Sequence, residues 1–244
     1  MNPEEICVLI PTRKRPLQLR RVLASLLDTA PTMPCVIIGD PDDTETHKFW
    51  MESPVQFIYV QTSAPKQGCV AAWNVGLASY PNASAYILGA DDIIFMPGWY
   101  GAMIAALDKI GGSGLVGFND GRKNGNVANS THYLMTRDFI IQHHGGVMAV
   151  PHYTAEMIDL EACERAKKAG KYIWAENAHV YHDWQGGPYG DETYRLAWDR
   201  RGDNQKLYEE RKAKGFPDDF PSILTNPPLP AEKGKRNARR TKPK

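Results

Sequence analysis

The chain has 244 residues, of which 42% are hydrophobic and 23% are charged, and this composition fits one globular domain and excludes an intrinsically disordered chain. The formal net charge is only +1, which excludes a domain that is strongly basic throughout. No apolar run approaches the length that crosses a bilayer, so we expect no membrane span.

The first half of the chain alternates strand-like and helix-like segments. Short apolar runs, typical of strands buried on both faces, lie at residues 6–10, 35–39, 56–60, 85–88 and 115–118. Apolar residues at helical spacing lie between them, at residues 16–27, 70–78 and 99–110. This alternation indicates βαβ units. We therefore predict an α/β fold, a single Rossmann-like domain with a central, mostly parallel sheet flanked by helices.

The second half is more mixed. A helix is predicted over residues 154–170, where Gly170 provides a C-terminal stop. Short strands are predicted over residues 172–174 and 178–181. No internal repeat is present, so the sequence predicts one folding unit that continues from the first half.

The end of the chain differs in composition from the rest. Residues 221–230 hold four prolines, and residues 231–244 hold seven lysines and arginines against one glutamate, a net charge of +6. The remaining chain therefore carries a charge of −5. We predict a domain over residues 1–220, followed over residues 221–244 by a Pro-rich linker and a basic, disordered tail.

The N-terminal residues and the cysteines bear on the compartment. Acidic residues precede the first apolar run, which is too short for the apolar region of a signal peptide. The four cysteines lie far apart and form no CxxC pair. This spacing favours buried free thiols in a reducing compartment over a zinc site. We therefore expect a cytoplasmic protein.

Polar side chains follow three of the predicted strands. Thr12 and Arg13 follow the first strand, Asp40 follows the second, and Asp91 and Asp92 follow the fourth. Ligands of open α/β sheets bind beyond the carboxyl ends of the strands, so we expect these residues to converge on one crevice. There, the guanidinium of Arg13 suits a phosphate, and the carboxylate of Asp40 suits a nucleobase or a ribose.

The adjacent carboxylates of Asp91 and Asp92 repel each other, so their burial requires a counter-charge. A divalent cation that bridges a diphosphate supplies one, and Mg²⁺ or Mn²⁺ suits such oxygen ligands. His182, at the end of a predicted strand, is a candidate to complete the metal site, and His179 lies within the same predicted strand. Taken alone, these residues fit a solvated turn and an ordinary histidine better.

Carboxylates also stand early in the helix predicted over residues 154–170. Asp159 or Glu161 suits a general base that takes the proton from an attacking hydroxyl. The helix dipole alone also favours acidic residues here, and the local sequence supports that structural interpretation more strongly. The segment 73–76 on the small-residue helix likewise fits either packing or a close approach to a diphosphate.

Taken in order, these segments resemble glycosyltransferase family 2, the large inverting family with the A-type fold, over about residues 6–184. The nucleotide-binding start of the family is similar to Pro11-Thr12-Arg13-x-Arg15-Pro16, and its base-binding acidic residue corresponds to Asp40. Its glycine-alanine-asparagine-glycine helix is similar to Gly68-x-x-x-Ala72-Trp73-Asn74-x-Gly76. Its metal-binding DxD segment is similar to Gly89-Ala90-Asp91-Asp92 with Pro97-Gly98-Trp99, and its later histidine segment is similar to Val180-Tyr181-His182. Alignment on Arg165 and Lys168-Ala169-Gly170 places Asp159 at the aspartate of the family's Glu-Asp catalytic motif.

The resemblance implies a hexosyltransferase that moves a sugar from a nucleoside diphosphate sugar, UDP-linked, to an acceptor hydroxyl with inversion. The implied nucleotide-sugar-binding residues are Pro11, Thr12, Arg13, Asp40, Gly68, Asn74, Ala90 and Asp91. The implied catalytic base is Asp159. The implied ligands of a Mn²⁺ or Mg²⁺ cofactor are Asp91, Asp92 and His182.

Two positions depart from the family pattern. Gly89 stands where the family has the first aspartate of DxD, so the resemblance places metal binding on Asp91, together with Asp92. Ile158 stands where the family usually has a glutamate before the catalytic aspartate, which leaves Glu156 or Glu161 to compensate.

Two other function classes stay open. A nucleotidyltransferase requires a glycine-rich loop after the first strand, and residues 11–16 contain no glycine. A non-catalytic module that binds a nucleotide sugar or a nucleic acid is compatible with Gly89 and with the basic tail. The tail is most simply a solubilising segment, but it also fits an acceptor that is a hydroxylated base in DNA or RNA. The sequence does not otherwise identify the acceptor.

Overall fold

The computed structural model describes residues 1–53, 57–121, 129–184 and 190–225. One sheet of eight strands runs through them. The strands are β1 (Ile6–Pro11), β2 (Cys35–Gly39), β3 (Ile58–Gln61), β4 (Ala85–Leu88), β5 (Ile93–Phe95), β6 (Leu115–Asn119), β7 (Tyr133–Thr136) and β8 (Tyr172–His182). The flanking helices are α1 (Pro16–Thr29), α2 (Thr44–Met51), α3 (Cys69–Ser79), α4 (Trp99–Lys109), α5 (Arg137–His143), α6 (Ile158–Lys168), α7 (Glu192–Asp199) and α8 (Arg201–Ala213).

The strands follow the order β3-β2-β1-β4-β7-β6-β8-β5 across the sheet. The first four run parallel to one another. Strand β7 is antiparallel to both β4 and β6, whereas β8 is parallel to β6 and pairs antiparallel with β5 at the sheet edge. The predicted α/β fold with a central, mostly parallel sheet is confirmed.

Helices cover both faces of the sheet because the central strands are apolar on both sides. Residues 6–10 of β1 are all buried. One face packs against a stripe of α1 at helical spacing, formed by Leu19, Val22, Leu23 and Leu26. On the other face, a Cβ on Gly76 of α3 would lie 2.9 Å from Ile38 Cδ1. The small residues of α3 therefore keep this helix close to the strands whose ends carry polar residues.

The helix predicted over residues 154–170 begins later than predicted. It is α6, which starts at Ile158, because Met157 has a φ of 73°. This left-handed conformation cannot be part of a right-handed helix. Residues 154–157 therefore form a loop, and this loop reaches the functional cavity.

The two short strands predicted at residues 172–174 and 178–181 are one strand, β8, of 11 residues. The exposed residues Glu176 and Asn177 interrupt its apolar pattern, so the sequence appears as two pieces. The register between β6 and β8 shifts between Gly117 and Asn119, as in a β-bulge.

Several elements carry too little apolar pattern to be found from the sequence. They are α2, β5, β7, α5, α7 and α8. Beyond them, backbone N–H groups of Ile223 and Leu224 donate to the carbonyl oxygen of Gly146 at 3.1 and 2.9 Å, and Leu224 is buried. Packing therefore continues past residue 220, and the rest of the predicted tail, residues 226–244, lies outside the described residues.

Two further expectations concern thiols and membranes. The four cysteines are unpaired, and Cys7, Cys35 and Cys163 are buried, as predicted. In the described part of the chain, no helix combines the length and the apolar character that a bilayer crossing needs.

Candidate functional site

A cavity of about 580 Å³ opens at the carboxyl ends of β1, β2 and β4. Residues of α6, α7 and α8 and of the turn before β7 complete its walls. Ten of the residues singled out in the sequence line it: Pro11, Thr12, Arg13, Asp40, Gly68, Ala90, Asp91, Asp92, Asp159 and His182. The strand ends thus bring Thr12, Arg13, Asp40, Asp91 and Asp92 to one cavity, as their position in the sequence predicts.

Asn74 lies elsewhere and has a packing role. Its Nδ2 donates to the carbonyl oxygen of Ala149 at 2.7 Å, and its Oδ1 accepts from the backbone N–H groups of Met148 and Ala149 at 3.0 and 3.1 Å. The side chain is buried and uses both ends of its amide. It therefore fastens α3 to the loop after α5, and it is not among the described residues that line the cavity.

Gly68 lets the start of α3 lie against the loop before α6. Its φ is 89°, and a Cβ at this position would lie 2.4 Å from the carbonyl oxygen of Thr154. A side chain is therefore excluded both by conformation and by space. The glycine holds two walls of the cavity together.

Arg13 and Asp40 bind each other at one end of the cavity. Arg13 Nη1 donates to Asp40 Oδ2 at 2.7 Å, and Arg13 Nη2 donates to Asp42 Oδ2 at 3.0 Å. Asp40 also accepts from Thr62 Oγ1 and from the backbone N–H of Lys66, each at 2.9 Å. These contacts tie the ends of β1 and β2 to the loop after β3 and make a rigid, buried corner.

Asp91 is paired with a buried arginine. Arg15 Nη1 lies 3.0 Å from Asp91 Oδ1, and both side chains are 6% exposed. Arg15 also donates from Nε and Nη2 to the two carboxylate oxygens of Asp191, each at 2.7 Å. Burial raises the pKa of Asp91 to about 6, against the opposing effect of Arg15. The counter-charge that burial of Asp91 requires is thus supplied by the protein.

Asp92 turns instead toward two histidines. The ligand atoms of Asp92, His132 and His182 all lie within 4.8 Å of one another, which makes an Asp/His/His group of the kind that binds metal ions. His182 Nε2 is 3.5 Å from Asp92 Oδ2. The rings of His132 and His182 meet edge to face with centroids 4.7 Å apart. Asp91 is not part of this group of described residues.

The residues of this group suit a cation in charge and in hydrogen bonding. Burial lowers the pKa of His132 to about 4, so its imidazole is neutral near pH 7, as a metal ligand must be. Burial raises the pKa of Asp92, but contacts with His182 outweigh burial and hold it below its usual range. Asp92 Oδ1 and His132 Nε2 are buried polar atoms with no hydrogen-bond partner among the described residues. A cation would satisfy both.

Helix α7 is fastened over this side of the cavity. The hydroxyl of Tyr194 donates to Asp92 Oδ2, and the guanidinium of Arg15 lies 4.4 Å from the centre of the Tyr194 ring. Glu192, at the start of the helix, pairs with Lys14 at 3.3 Å and with Lys66 at 2.9 Å. Contacts to three separate loops and strand ends therefore hold α7 in place.

Asp159 lies in the first turn of α6. It is partly buried and lines the cavity. Glu156 precedes it on the same wall and pairs with Arg201 of α8 at 3.3 Å. Of the two glutamates considered as compensating for Ile158, only Glu156 is among the described residues that line the cavity.

Glu161 serves the structure of the domain. It is completely buried and accepts from Arg165 Nε at 2.9 Å, from Arg211 Nε and Nη2 at 3.0 and 3.1 Å, and from the hydroxyl of Tyr153 at 2.8 Å. This network joins α6 to α8. It therefore fixes the helix that carries Asp159.

Three residues of the site have no role that the sequence predicts. Arg15 lies within the Pro11–Pro16 segment, but its role follows only from its hydrogen bond to Asp91, which is 76 residues away in the sequence. His132 precedes a strand that has no clear periodic signal, and Tyr194 lies on a helix that the apolar pattern does not reveal. Residue type alone marks the histidine, and no pattern marks the other two.

The sequence matches a known protein family. A sequence model of the family described as glycosyl transferase family 2 matches residues 7–165. A search of curated proteins found no match.

Solved glycosyltransferase structures share the fold. A mannosyltransferase from Pyrobaculum calidifontis, in complex with GDP-Man and Mn²⁺, is 14% identical with a TM-score of 0.64, over 88% of this chain and 66% of that one. S. aureus TarS 1–349 in complex with UDP is 13% identical with a TM-score of 0.59, over 74% and 60%. GalNAc-T7 with UDP, GalNAc and Mn²⁺ is 12% identical with a TM-score of 0.58, over 89% and 55%. The chain thus matches less than two thirds of each of these longer proteins.

Proposed function

The chain belongs to glycosyl transferase family 2, and from this we propose that it moves a hexose from a nucleoside diphosphate sugar to an acceptor hydroxyl, with inversion at the anomeric carbon. The main support is one cavity that gathers three kinds of group. These are a buried Arg–Asp corner, a buried guanidinium near the Asp/His/His group, and a carboxylate in the first turn of α6.

We assign the nucleoside to the corner at the ends of β1 and β2. Thr12 Oγ1 and Arg13 Nε are buried atoms with no hydrogen-bond partner among the described residues, and both residues line the cavity. Carbonyl and ribose oxygens would satisfy these donors. Asp40 keeps Arg13 in place and presents its carboxylate to the same space, while Pro11, Gly68 and Ala90 form close backbone walls.

The leaving diphosphate would lie between this corner and the histidines. Arg15 would offer it the remaining N–H donors of a buried guanidinium that Asp91 and Asp191 hold in place, so little reorganisation is needed when charge develops. Asp92 and His182 would hold a divalent ion, which when bound would stabilise negative charge on the diphosphate. On this geometry Asp91 orients Arg15, whereas the resemblance places it among the metal ligands.

Asp159 is the proposed catalytic base. It would take the proton of the acceptor hydroxyl at a carboxylate oxygen, while the hydroxyl oxygen bonds to the anomeric carbon and the bond to the diphosphate breaks. Inversion requires attack on the face of the anomeric carbon opposite the leaving diphosphate, so on this proposal Asp159 would lie across the donor sugar from the group proposed to hold the cation.

We propose a UDP-linked donor. TarS is known in complex with UDP, and GalNAc-T7 with UDP and Mn²⁺, whereas the P. calidifontis enzyme is known with GDP-Man. The unpartnered donors of Thr12 and Arg13 suit the carbonyl-rich edge of uracil. Guanine would have to present its single carbonyl oxygen to the same two atoms.

A panel of nucleotide sugars tests the proposal. Thermal melting of the full chain is measured with UDP-, GDP-, ADP- and CDP-sugars, with and without Mn²⁺. Ligand at about one hundred times its Kd stabilises the native state by about 2.7 kcal/mol, so a bound UDP-sugar should raise the Tm. NMR of the sugar released from the bound donor should show the inverted anomer first. No shift with any nucleotide sugar, or release with retained configuration, would refute it.

A further inference from the structure

The corner of the cavity where a DxD aspartate would stand has no room for one. A Cβ on Gly89 would lie 2.9 Å from the carbonyl oxygen of Leu9 and 3.0 Å from Val8 Cγ1. The indole Nε1 of Trp73 donates to the carbonyl oxygen of Gly89 at 2.9 Å. The strand end therefore cannot carry a second carboxylate at this point, and any further ligand must come from another element.

His132, on the turn before β7, faces the same space with an oriented ring. Its Nδ1 lies 3.2 Å from the carbonyl oxygen of Leu88. A carbonyl oxygen only accepts, so Nδ1 carries the proton and Nε2 presents a lone pair. The backbone is held as well, because His132 O accepts from Phe118 N at 3.0 Å and from Ser130 Oγ at 2.7 Å. A backbone carbonyl on the far ring nitrogen is the usual support of a metal-bound histidine.

We propose that His132 takes the place of the absent aspartate as a third protein ligand, and that the site selects transition-metal ions over Mg²⁺. The proposal rests on the proposed function for the location of the cation site. His182 completes the set, with Nε2 toward Asp92 and Nδ1 3.8 Å from Asp120, a carboxylate that supports its ring. The donor set is then one carboxylate and two imidazoles.

Two imidazoles change which ion fits. Mg²⁺ requires oxygen ligands and keeps its waters, whereas imidazole suits later divalent ions, whose affinity rises along the series from Mn²⁺ to Co²⁺. A DxD site made of carboxylates alone offers little of this discrimination. We therefore expect affinity to increase in the order Mg²⁺, Mn²⁺, Co²⁺, with Mn²⁺ bound about tenfold or more tightly than Mg²⁺.

The test measures metal binding on the full chain without donor. Mn²⁺ is titrated and the free ion is counted by its EPR signal, with Mg²⁺ as competitor. His132→Gln should weaken Mn²⁺ binding about tenfold or more. The matched control is His144→Gln, because His144 is also buried, with Nδ1 2.8 Å from the carbonyl oxygen of Val147 and Nε2 without a partner among the described residues. It should bind Mn²⁺ as the wild type does.

A spectroscopic measurement covers the case in which His132→Gln does not fold. Pulsed EPR of bound Mn²⁺ should show imidazole nitrogen coupling in the wild type and also in His182→Gln, where His132 would be the remaining imidazole. Loss of all nitrogen coupling in His182→Gln, equal binding by His132→Gln, or a preference for Mg²⁺ would overturn the proposal.

Failure of the proposed function and failure of the proposed metal site give different results. If Mn²⁺ binds through His132 but no nucleotide sugar binds or is cleaved, the metal site stands and the transferase assignment fails. If a UDP-sugar is transferred while Mn²⁺ does not bind through His132, the transferase stands and this inference fails.

Discussion

At the scale of single residues, the adjacent carboxylates of Asp91 and Asp92 have different partners. Asp91 is 3.0 Å from Arg15, whereas Asp92 faces His132 and His182. Both residues lie in the turn between β4 and β5, where each carboxylate meets a different set of partners. One of them is neutralised by a permanent protein cation. The other belongs to the group that we propose to hold a cation.

Asp159→Asn should preserve donor binding and abolish most of the transfer. The amide cannot take a proton, and general-base catalysis contributes about 10²–10⁴-fold, so kcat should fall by that order while the donor Kd stays unchanged. Asp138→Asn is the control, because Asp138 lies in the first turn of α5, is exposed and lies away from the residues that line the cavity. A loss below threefold for Asp159→Asn would shift the role to Glu156.

His144→Gln should reduce the acid sensitivity of the fold. Burial lowers the pKa of His144 to about 4, below its unfolded value of 6.5. Between these values the unfolded chain binds the extra proton, so stability is present above pH 6.5 and is lost as pH falls. The expected loss from this group between pH 7 and pH 5 is about 2 kcal/mol.

Urea unfolding at both pH values measures this loss. The wild type should lose about 2 kcal/mol more than His144→Gln between pH 7 and pH 5. His47→Gln, at an exposed position, serves as the control and should behave as the wild type does. Identical pH dependence in His144→Gln and the wild type would contradict the prediction.

At the scale of elements, the position of α6 depends on α8. Glu161 binds Arg165 within α6 and Arg211 on α8, and Arg165 continues to Asp218 at 2.7 Å. The proposed base, Asp159, is therefore positioned by a buried ionic contact among residues that do not line the cavity. Helix α8 also brings Arg201 to the cavity wall, so one contact supports two parts of the site.

Glu161→Gln should destabilise the fold strongly. Removing one partner of a buried ion pair costs about 3–5 kcal/mol, because the arginines stay buried without their counter-charge. Glu164→Gln is the matched control in the same helix, since Glu164 pairs with Lys212 at 2.9 Å on the surface, where such pairs contribute about 0–1 kcal/mol. Urea unfolding measures both. A similar effect for the two variants would disprove the structural role of Glu161.

Elements with a strong apolar pattern are predictable from the sequence, and elements defined by partners are not. The runs that became β1, β2 and β4 are buried on both faces, so their sequence alone indicates strands. Helices α7 and α8 are held largely by ion pairs to distant residues, and the sequence does not show which charges meet. Asp92 could be assigned to the candidate site because it follows a clear apolar strand. His132 could not, because only the fold brings it close to Asp92.

At the scale of the whole molecule, charge is divided between the domain and the end of the chain. Residues 231–244 carry +6 and the rest carries −5, and the basic residues lie outside the described part of the structure. Deletion of residues 231–244 should leave the Tm and donor hydrolysis unchanged, because charged residues of this kind add nothing to a core.

Duplex DNA binding distinguishes the two roles considered for this segment. If it holds a nucleic-acid acceptor, the full chain should bind DNA at low salt, weakly at moderate salt, and the truncated chain should lose that binding. Equal, weak binding by both proteins would remove the sequence support for such an acceptor. Transfer to a hydroxymethylated oligonucleotide is the decisive product assay.

The bond from Tyr194 to Asp92 has a consequence for kinetics. The tyrosine hydroxyl donates to Asp92 Oδ2, the oxygen that also lies 3.5 Å from His182 Nε2. An ion that binds both carboxylate oxygens of Asp92 would displace this hydroxyl, so uptake of such an ion and release of this corner of α7 would be linked. With the cation site as proposed, the observed rate constant of Mn²⁺ binding should reach a plateau at high Mn²⁺ concentration. The plateau equals the rate constant for breaking the hydrogen bond between Tyr194 and Asp92. In Tyr194→Phe, which lacks the hydroxyl, the rate should keep rising in proportion to concentration.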